Sequence, residues 1–217
     1  MSISENLKDI KAEIPRETEL VAISKTKPKE AVLEAYDAGQ RIFGENKIQE
    51  MVWKQEELPK DIRWHMVGHV QRNKVKYIAP FVDLIHAVDS EKLLKEIDKQ
   101  AKKNNRIIDC LLQIKIAEED SKFGITIDDA QNILHSEIWK SLENVRVIGL
   151  MGMATLTEDQ SKIKKEFSFL KSAFDRLKVD QDQFSVLSMG MSGDYKIAIE
   201  CGSTMVRVGS AIFGERN

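Results

Sequence analysis

Apolar residues along this 217-residue chain recur in two alternating rhythms. Short continuous apolar runs bounded by polar or glycine-containing segments predict strands buried on both faces. Longer stretches with apolar residues three and four apart predict helices packed through one face. A leading segment places Ile3, Leu7, Ile10 and Ile14 at helical spacing. Strands follow at 19–25, 41–45, 62–68, 81–88, 106–116, 145–153, 184–189 and 205–210, with helical patterns between them. In the segment 90–105, Leu93, Leu94, Ile97 and Ala101 share one face behind a Ser90 cap. From about 159 to 178, Ile163, Phe167, Leu170, Phe174 and Leu177 form a second stripe, and Gly39 stops the helix at 31–38.

Eight strand–helix alternations predict an α/β fold: a single (β/α)8 TIM-type barrel over residues 1–217, with an extra N-terminal helix. Every parallel strand needs a crossover, and closing the sheet removes its edges. An open doubly wound sheet is the competing architecture. Its first turn should be a glycine-rich dinucleotide loop, and Ser24-Lys25-Thr26-Lys27 is not one.

Composition narrows the functional class. With 33 Lys plus Arg against 35 Asp plus Glu, the formal charge is −2, which gives no general pull toward nucleic acid or anionic membrane. Runs such as Lys102-Lys103 and Lys164-Lys165 read as solvated helix faces. Cys110 and Cys201 make no disulfide framework, and Cys110 lies in an apolar run that buries its thiol. No signal-peptide pattern and no bilayer-length apolar stretch occurs, so a reducing cytoplasm is the expected compartment.

The strand ends carry the candidate chemistry. Lys25 follows the apolar run Leu20-Val21-Ala22-Ile23-Ser24. Desolvation there favours the neutral amine, the form that reacts with a carbonyl. In a barrel of this kind, phosphate is often held by the loops after the seventh and eighth strands. Those loops read Ser188-Met189-Gly190-Met191-Ser192-Gly193-Asp194 and Arg207-Val208-Gly209-Ser210-Ala211, rich in glycine and hydroxyls that let backbone N–H groups approach an anion. An inward Arg207 needs an acceptor: either a core carboxylate such as Glu45 or a ligand's ring nitrogen. Amine, phosphate loops and arginine are together the handles a pyridoxal phosphate site requires.

Five segments carry a wider resemblance: Val21-Ala22-Ile23-Ser24-Lys25-Thr26-Lys27-Pro28, Phe43-Gly44-Glu45-Asn46, the stretch from Trp64 through Lys74, Leu187-Ser188-Met189-Gly190-Met191-Ser192, and Gly202-Ser203-Thr204-Met205-Val206-Arg207-Val208-Gly209. In this order they closely resemble the pyridoxal phosphate homeostasis protein family, whose fold is that of the N-terminal barrel of alanine racemase. The resemblance covers essentially the whole chain. It implies that Lys25 carries the cofactor as an internal aldimine, that Ser192, Gly209 and Ser210 hold the phosphate, that Arg207 faces the pyridine nitrogen, and that Asn46 lines the pocket. Lys47 and Phe123 depart from the residues common in the family and leave the pocket rim open.

The expected function is a pyridoxal 5′-phosphate binder that buffers or delivers the cofactor as a monomer, with apo forms of cofactor-dependent enzymes as recipients. An arginine at the ring nitrogen makes the ring a poorer electron sink than an aspartate would, which disfavours transamination and leaves racemisation open. Racemisation also needs a second base on the opposite face of the substrate carbon. Tyr36, Tyr77 and Tyr195 all fall in helix-like segments, and the chain ends at Asn217 without the β-rich extension that supplies this base in the racemase. The enzymatic alternative is a small amino-acid racemase or lyase using the same lysine. A barrel serving only as an interaction scaffold is a third reading.

Other constellations are weaker. His65 and His69 have the spacing of a helical metal pair, but their segment reads as a strand entering a turn, so His65 is expected as a pocket wall or a core histidine. Met151 and Met153 are expected in the core, with packing under a cofactor ring as the alternative. Lys27 and Lys122 are the candidate second amines near the mouth.

Overall fold

The computed structural model describes residues 2–117 and 123–215; Lys122 lies outside them. The elements run in the order α1 (Ile3–Glu13), β1 (Glu19–Ile23), α2 (Lys29–Asp37), β2 (Ile42–Glu45), α3 (Ile48–Glu57), β3 (Arg63–Met66), α4 (Val75–Ile78), β4 (Leu84–Val88), α5 (Glu91–Lys103) and β5 (Ile108–Gln113). They continue with α6 (Ile127–His135), α7 (Glu137–Lys140), β6 (Val145–Met151), α8 (Gln160–Lys178), β7 (Val186–Met191), α9 (Tyr195–Glu200), β8 (Met205–Val208) and α10 (Ser210–Phe213). The eight strands form a closed parallel barrel in sequential order, and β1 pairs with β8, Val21 lying opposite Arg207.

All eight expected strands are present, with two differences that matter for the site. β1 ends at Ile23, which leaves Lys25 in the following turn rather than in the strand. β7 runs on through Met191, so the loop after it begins at Ser192. Pro28 stands at the N-cap of α2. Ser90 occupies the N-cap of α5 with extended backbone, but its side chain makes no capping hydrogen bond; its carbonyl accepts from the N–H groups of Leu93 and Leu94. Asp159, by contrast, caps α8 by accepting from the N–H groups of Ser161 and Lys162.

The apolar residues separate into two bodies. Outside the barrel, helix stripes pack on the strands: Leu93, Leu94, Ile97 and Ala101 of α5, and Ile163, Phe167, Leu170, Phe174 and Leu177 of α8, are all buried there. Inside, Val21, Ile23, Ile42, Leu84, Leu111, Met151 and Met205 fill the barrel as a packed core. Helix α1 buries Leu7 and Ile10 and packs against α2 and α10, occupying the place of a crossover between β8 and β1. Cys110 is fully buried, and burial pushes its thiol pKa well above the ordinary value. Among the described residues no helix is long and apolar enough to cross a membrane.

Candidate cofactor-binding site

Lys25, Asn46, Ser192, Arg207, Gly209 and Ser210 all line one cavity of about 740 Å³ at the C-terminal ends of the strands. That volume lies within the roughly 300–1,000 Å³ of small-molecule sites. Lys27, His69, Phe123 and Met153 complete parts of its wall. Residues separated by most of the chain meet there because β1 and β8 are neighbours in the closed sheet.

The turn carrying Lys25 is fixed on both sides. Ser24 donates its backbone N–H to Gly44 at 3.1 Å and its hydroxyl to Glu45 Oε1 at 2.6 Å. Its carbonyl accepts from the Lys27 N–H at 3.0 Å and from Lys54 Nζ at 2.7 Å. On the other side, the Thr26 N–H donates to Glu50 Oε1 at 2.6 Å, and Thr26 has a φ of 64°, a conformation β-branched residues rarely adopt. Lys25 is half-buried between these two anchored peptides.

Asn46 follows β2 directly, with the loop after β3 passing over it. Gly68 permits that passage: a Cβ there would stand 2.3 Å from the Asn46 carbonyl oxygen. The Asn46 side-chain Oδ1 is buried and has no hydrogen-bond partner. A buried, unpaired amide oxygen beside a cavity is a position suited to a ligand donor.

The loops after β7 and β8 converge as expected. Ser192 Oγ accepts from the Gly209 N–H at 3.0 Å and from the Ala211 N–H at 3.4 Å, which brings both loops to one point. The approach is set by Gly190, whose φ of +97° and contact with α9 exclude a side chain. Asp194 closes the turn, accepting from the Met191 N–H at 2.5 Å while donating its own N–H to the Met191 carbonyl at 3.0 Å.

Arg207 is 4% exposed, and its partner is not Glu45. It donates to Ser188 Oγ at 2.6 Å and to the Gly152 carbonyl at 3.0 Å. Glu45 instead lies with Lys54, 2.7 Å away, both side chains fully buried. Burial raises the Glu45 pKa, against the lowering effect of Lys54 and Ser24. Burial lowers the Arg207 pKa to about 10, with the Asp194 charge opposing it, so the guanidinium remains charged at neutral pH.

Beyond Arg207 lies a polar chain that sequence reading did not find. Ser188 meets His86 Nδ1 at 3.1 Å, His86 Nε2 meets His65 Nδ1 at 3.0 Å, and His65 Nε2 meets Asp83 at 3.4 Å. β4 and β7 are not neighbours in the sheet, so the His86–Ser188 contact crosses the barrel interior. One assignment satisfies the series: Ser188 donates to His86, His86 to His65, and His65 to Asp83. His65 is therefore a satisfied core histidine, while His69 points elsewhere, 3.2 Å from Asp89 and stacked on Phe123 with ring centroids 4.7 Å apart. The two rings take different partners.

Tyr36, Tyr77 and Tyr195 all lie in helices, and none lines the cavity. Tyr36 donates to Asp61 and Tyr195 to Glu13, and Tyr77 is half-exposed.

Comparison with known proteins identifies relatives of this chain. The family model for the alanine racemase N-terminal domain matches residues 1–217. A pyridoxal phosphate homeostasis protein of Vibrio alginolyticus is 38% identical over 231 residues, spanning 100% of this chain and 98% of the relative. One from Aquifex aeolicus is 39% identical over 202 residues, 91% of this chain and 86% of the relative. PipY of Synechococcus elongatus, solved with PLP bound, superposes with a TM-score of 0.90 at 34% identity over 98% of this chain and 100% of that one. An alanine racemase of Clostridium difficile shares the fold, with a TM-score of 0.80 at 14% identity; this chain covers 57% of it. The chain therefore belongs to the pyridoxal phosphate homeostasis protein family, built on the alanine racemase N-terminal barrel.

Proposed function

We propose that this protein binds pyridoxal 5′-phosphate covalently at Lys25 and holds it for buffering or delivery, without turning over a substrate. The observation that carries the reading is the single cavity into which Lys25, Asn46, Ser192, Arg207, Gly209 and Ser210 all open. The donor set fits the group: an amine on a fixed turn, an unpaired buried amide oxygen, loop N–H groups converging at a serine hydroxyl, and a buried arginine.

The cofactor supplies an aldehyde, which condenses with a neutral amine with loss of one water, and a phosphate dianion. Lys25 contributes the amine. Ser192, Gly209 and Ser210 hold the phosphate through hydroxyl and backbone donors, and Asn46 lines the side of the pocket. Arg207 donates a hydrogen bond toward the ring nitrogen and keeps its own proton, which leaves that nitrogen without positive charge. Residues 1–217 act in this reading as one domain, in line with the family model spanning them.

The test mixes purified protein with the cofactor, follows the visible absorbance band, and locates the attachment by borohydride reduction and mass spectrometry. Attachment at Lys25, its loss in Lys25→Ala, and bleaching of the band when an apo-enzyme recipient is added are the expected results. A racemase or lyase reading has one observation in its favour: His69, paired with Asp89, stands in the cavity wall. Sustained Lys25-dependent exchange of amino-acid α-protons, abolished in His69→Asn, would establish that reading instead.

A further inference from the structure

Lys54 looks ordinary in sequence. It sits in the helical segment Ile48-Gln49-Glu50-Met51-Val52-Trp53-Lys54-Gln55-Glu56-Glu57, where a solvated lysine is the default. In the structure its side chain is completely buried. The ammonium has three N–H donors and meets three acceptors: the Ser24 carbonyl at 2.7 Å, Glu45 Oε1 at 2.7 Å and Glu50 Oε1 at 2.8 Å. Such a buried ion pair rarely adds stability over well-packed apolar groups, so its presence calls for another reason.

That reason lies in what the cluster grips. Lys54 holds the Ser24 carbonyl, Glu45 holds the Ser24 hydroxyl, and Glu50 holds the Thr26 N–H. Ser24 and Thr26 are the residues on either side of Lys25, and Thr26 is kept in the left-handed region. Strained backbone of this kind persists only where its surroundings over-determine it.

We propose that Lys54, acting with Glu50, is a positioning residue for Lys25: it fixes the turn from which the reactive amine enters the cavity. The proposal rests on the cofactor reading above. A group placed an ångström away from its reacting partner loses much of the advantage of proximity, whereas binding of the rest of the ligand is untouched. The loops after β7 and β8 seat the phosphate independently of this cluster.

The experiment compares wild type with Lys54→Met. It measures the rate constant for covalent attachment by stopped-flow absorbance, and the affinity for pyridoxine 5′-phosphate, whose alcohol cannot form the bond. Attachment should slow by about 10–100-fold, while affinity for the alcohol stays within about twofold of wild type, the pattern expected of positioning alone. Glu50→Ala should reproduce the split, and Glu50→Gln, which keeps an acceptor oxygen, should show most of the wild-type rate. Unchanged attachment in folded Lys54→Met overturns the proposal, as does a parallel fall in affinity for the alcohol. If Lys54→Met does not fold, the same two measurements on Glu50→Ala decide. Wild type that attaches the cofactor at no lysine overturns both the cofactor reading and this one, and that arm is read first.

Discussion

His65 and His86 meet inside the barrel, Nδ1 of His65 lying 3.0 Å from Nε2 of His86. Two imidazoles at that distance cannot both carry a proton on the facing atoms, and His86 has no route to solvent. Burial, then the neighbouring His65 and the charge of Arg207, hold its pKa well below the ordinary value.

A pH dependence follows. Unfolded, His86 titrates near pH ~6.5. Between that value and its depressed native value the unfolded chain binds the proton and the folded one does not. Stability is thus present above the unfolded pKa and lost as pH falls through it, at up to about 1.4 kcal/mol per pH unit. Urea midpoints compared near pH ~7.5 and ~5.5 should show this loss, and His86→Asn should show a smaller one.

Ser192→Ala removes the acceptor shared by the Gly209 and Ala211 N–H groups. The loss of a hydroxyl donor to the phosphate dianion should weaken cofactor affinity by about 1.5–3 kcal/mol, roughly 10–150-fold. Pyridoxal, which has no phosphate, should bind Ser192→Ala as it binds wild type. Titrations of both ligands monitored by absorbance would separate the two ends of the site.

Asn46→Ala should split stability from binding. Its Oδ1 is buried without a partner, and removing such an atom relieves a desolvation penalty of about 1–3 kcal/mol. Ligand-free Asn46→Ala is therefore expected to melt no lower than wild type while binding the cofactor more weakly. A variant that melts well below wild type would show that the amide supports the fold rather than a ligand.

Gly190→Ala puts a methyl group 2.6 Å from the Ala198 Cβ and 2.9 Å from the Tyr195 Cα, at a φ of +97°. Backbone strain and overpacking together should cost about 2–4 kcal/mol. Chemical denaturation reads that loss directly, and the β7 loop should lose its ability to bring Ser192 against Gly209.

The barrel was legible because its evidence is local: each strand and helix announces itself through its own spacing of apolar residues, as the stripes on α5 and α8 show. Motifs single out Lys25, Asn46, Ser192, Arg207, Gly209 and Ser210, and the fold brings all six to one cavity. The support behind them was not legible. Lys54 lies 30 residues from the Ser24 carbonyl it holds, in a helix of ordinary polar character. His86 lies 102 residues from Ser188, in an apolar run that offers no hint of a partner across the barrel. For the same reason, a carboxylate such as Glu45 was available on paper for Arg207, although Lys54 holds it in the structure.

The pairing of β1 with β8, and the seating of α1 against α10, also give the molecule a seam. Asn6 ties one side to the other by donating to the Ile212 carbonyl at 3.0 Å. The first strand of the chain is thus completed on one side by the last. The amine after β1 and the loops after β7 and β8 stand on opposite sides of that join. A ligand gripped by both would act as a clasp, so the barrel should be hardest to pull open with that ligand in place.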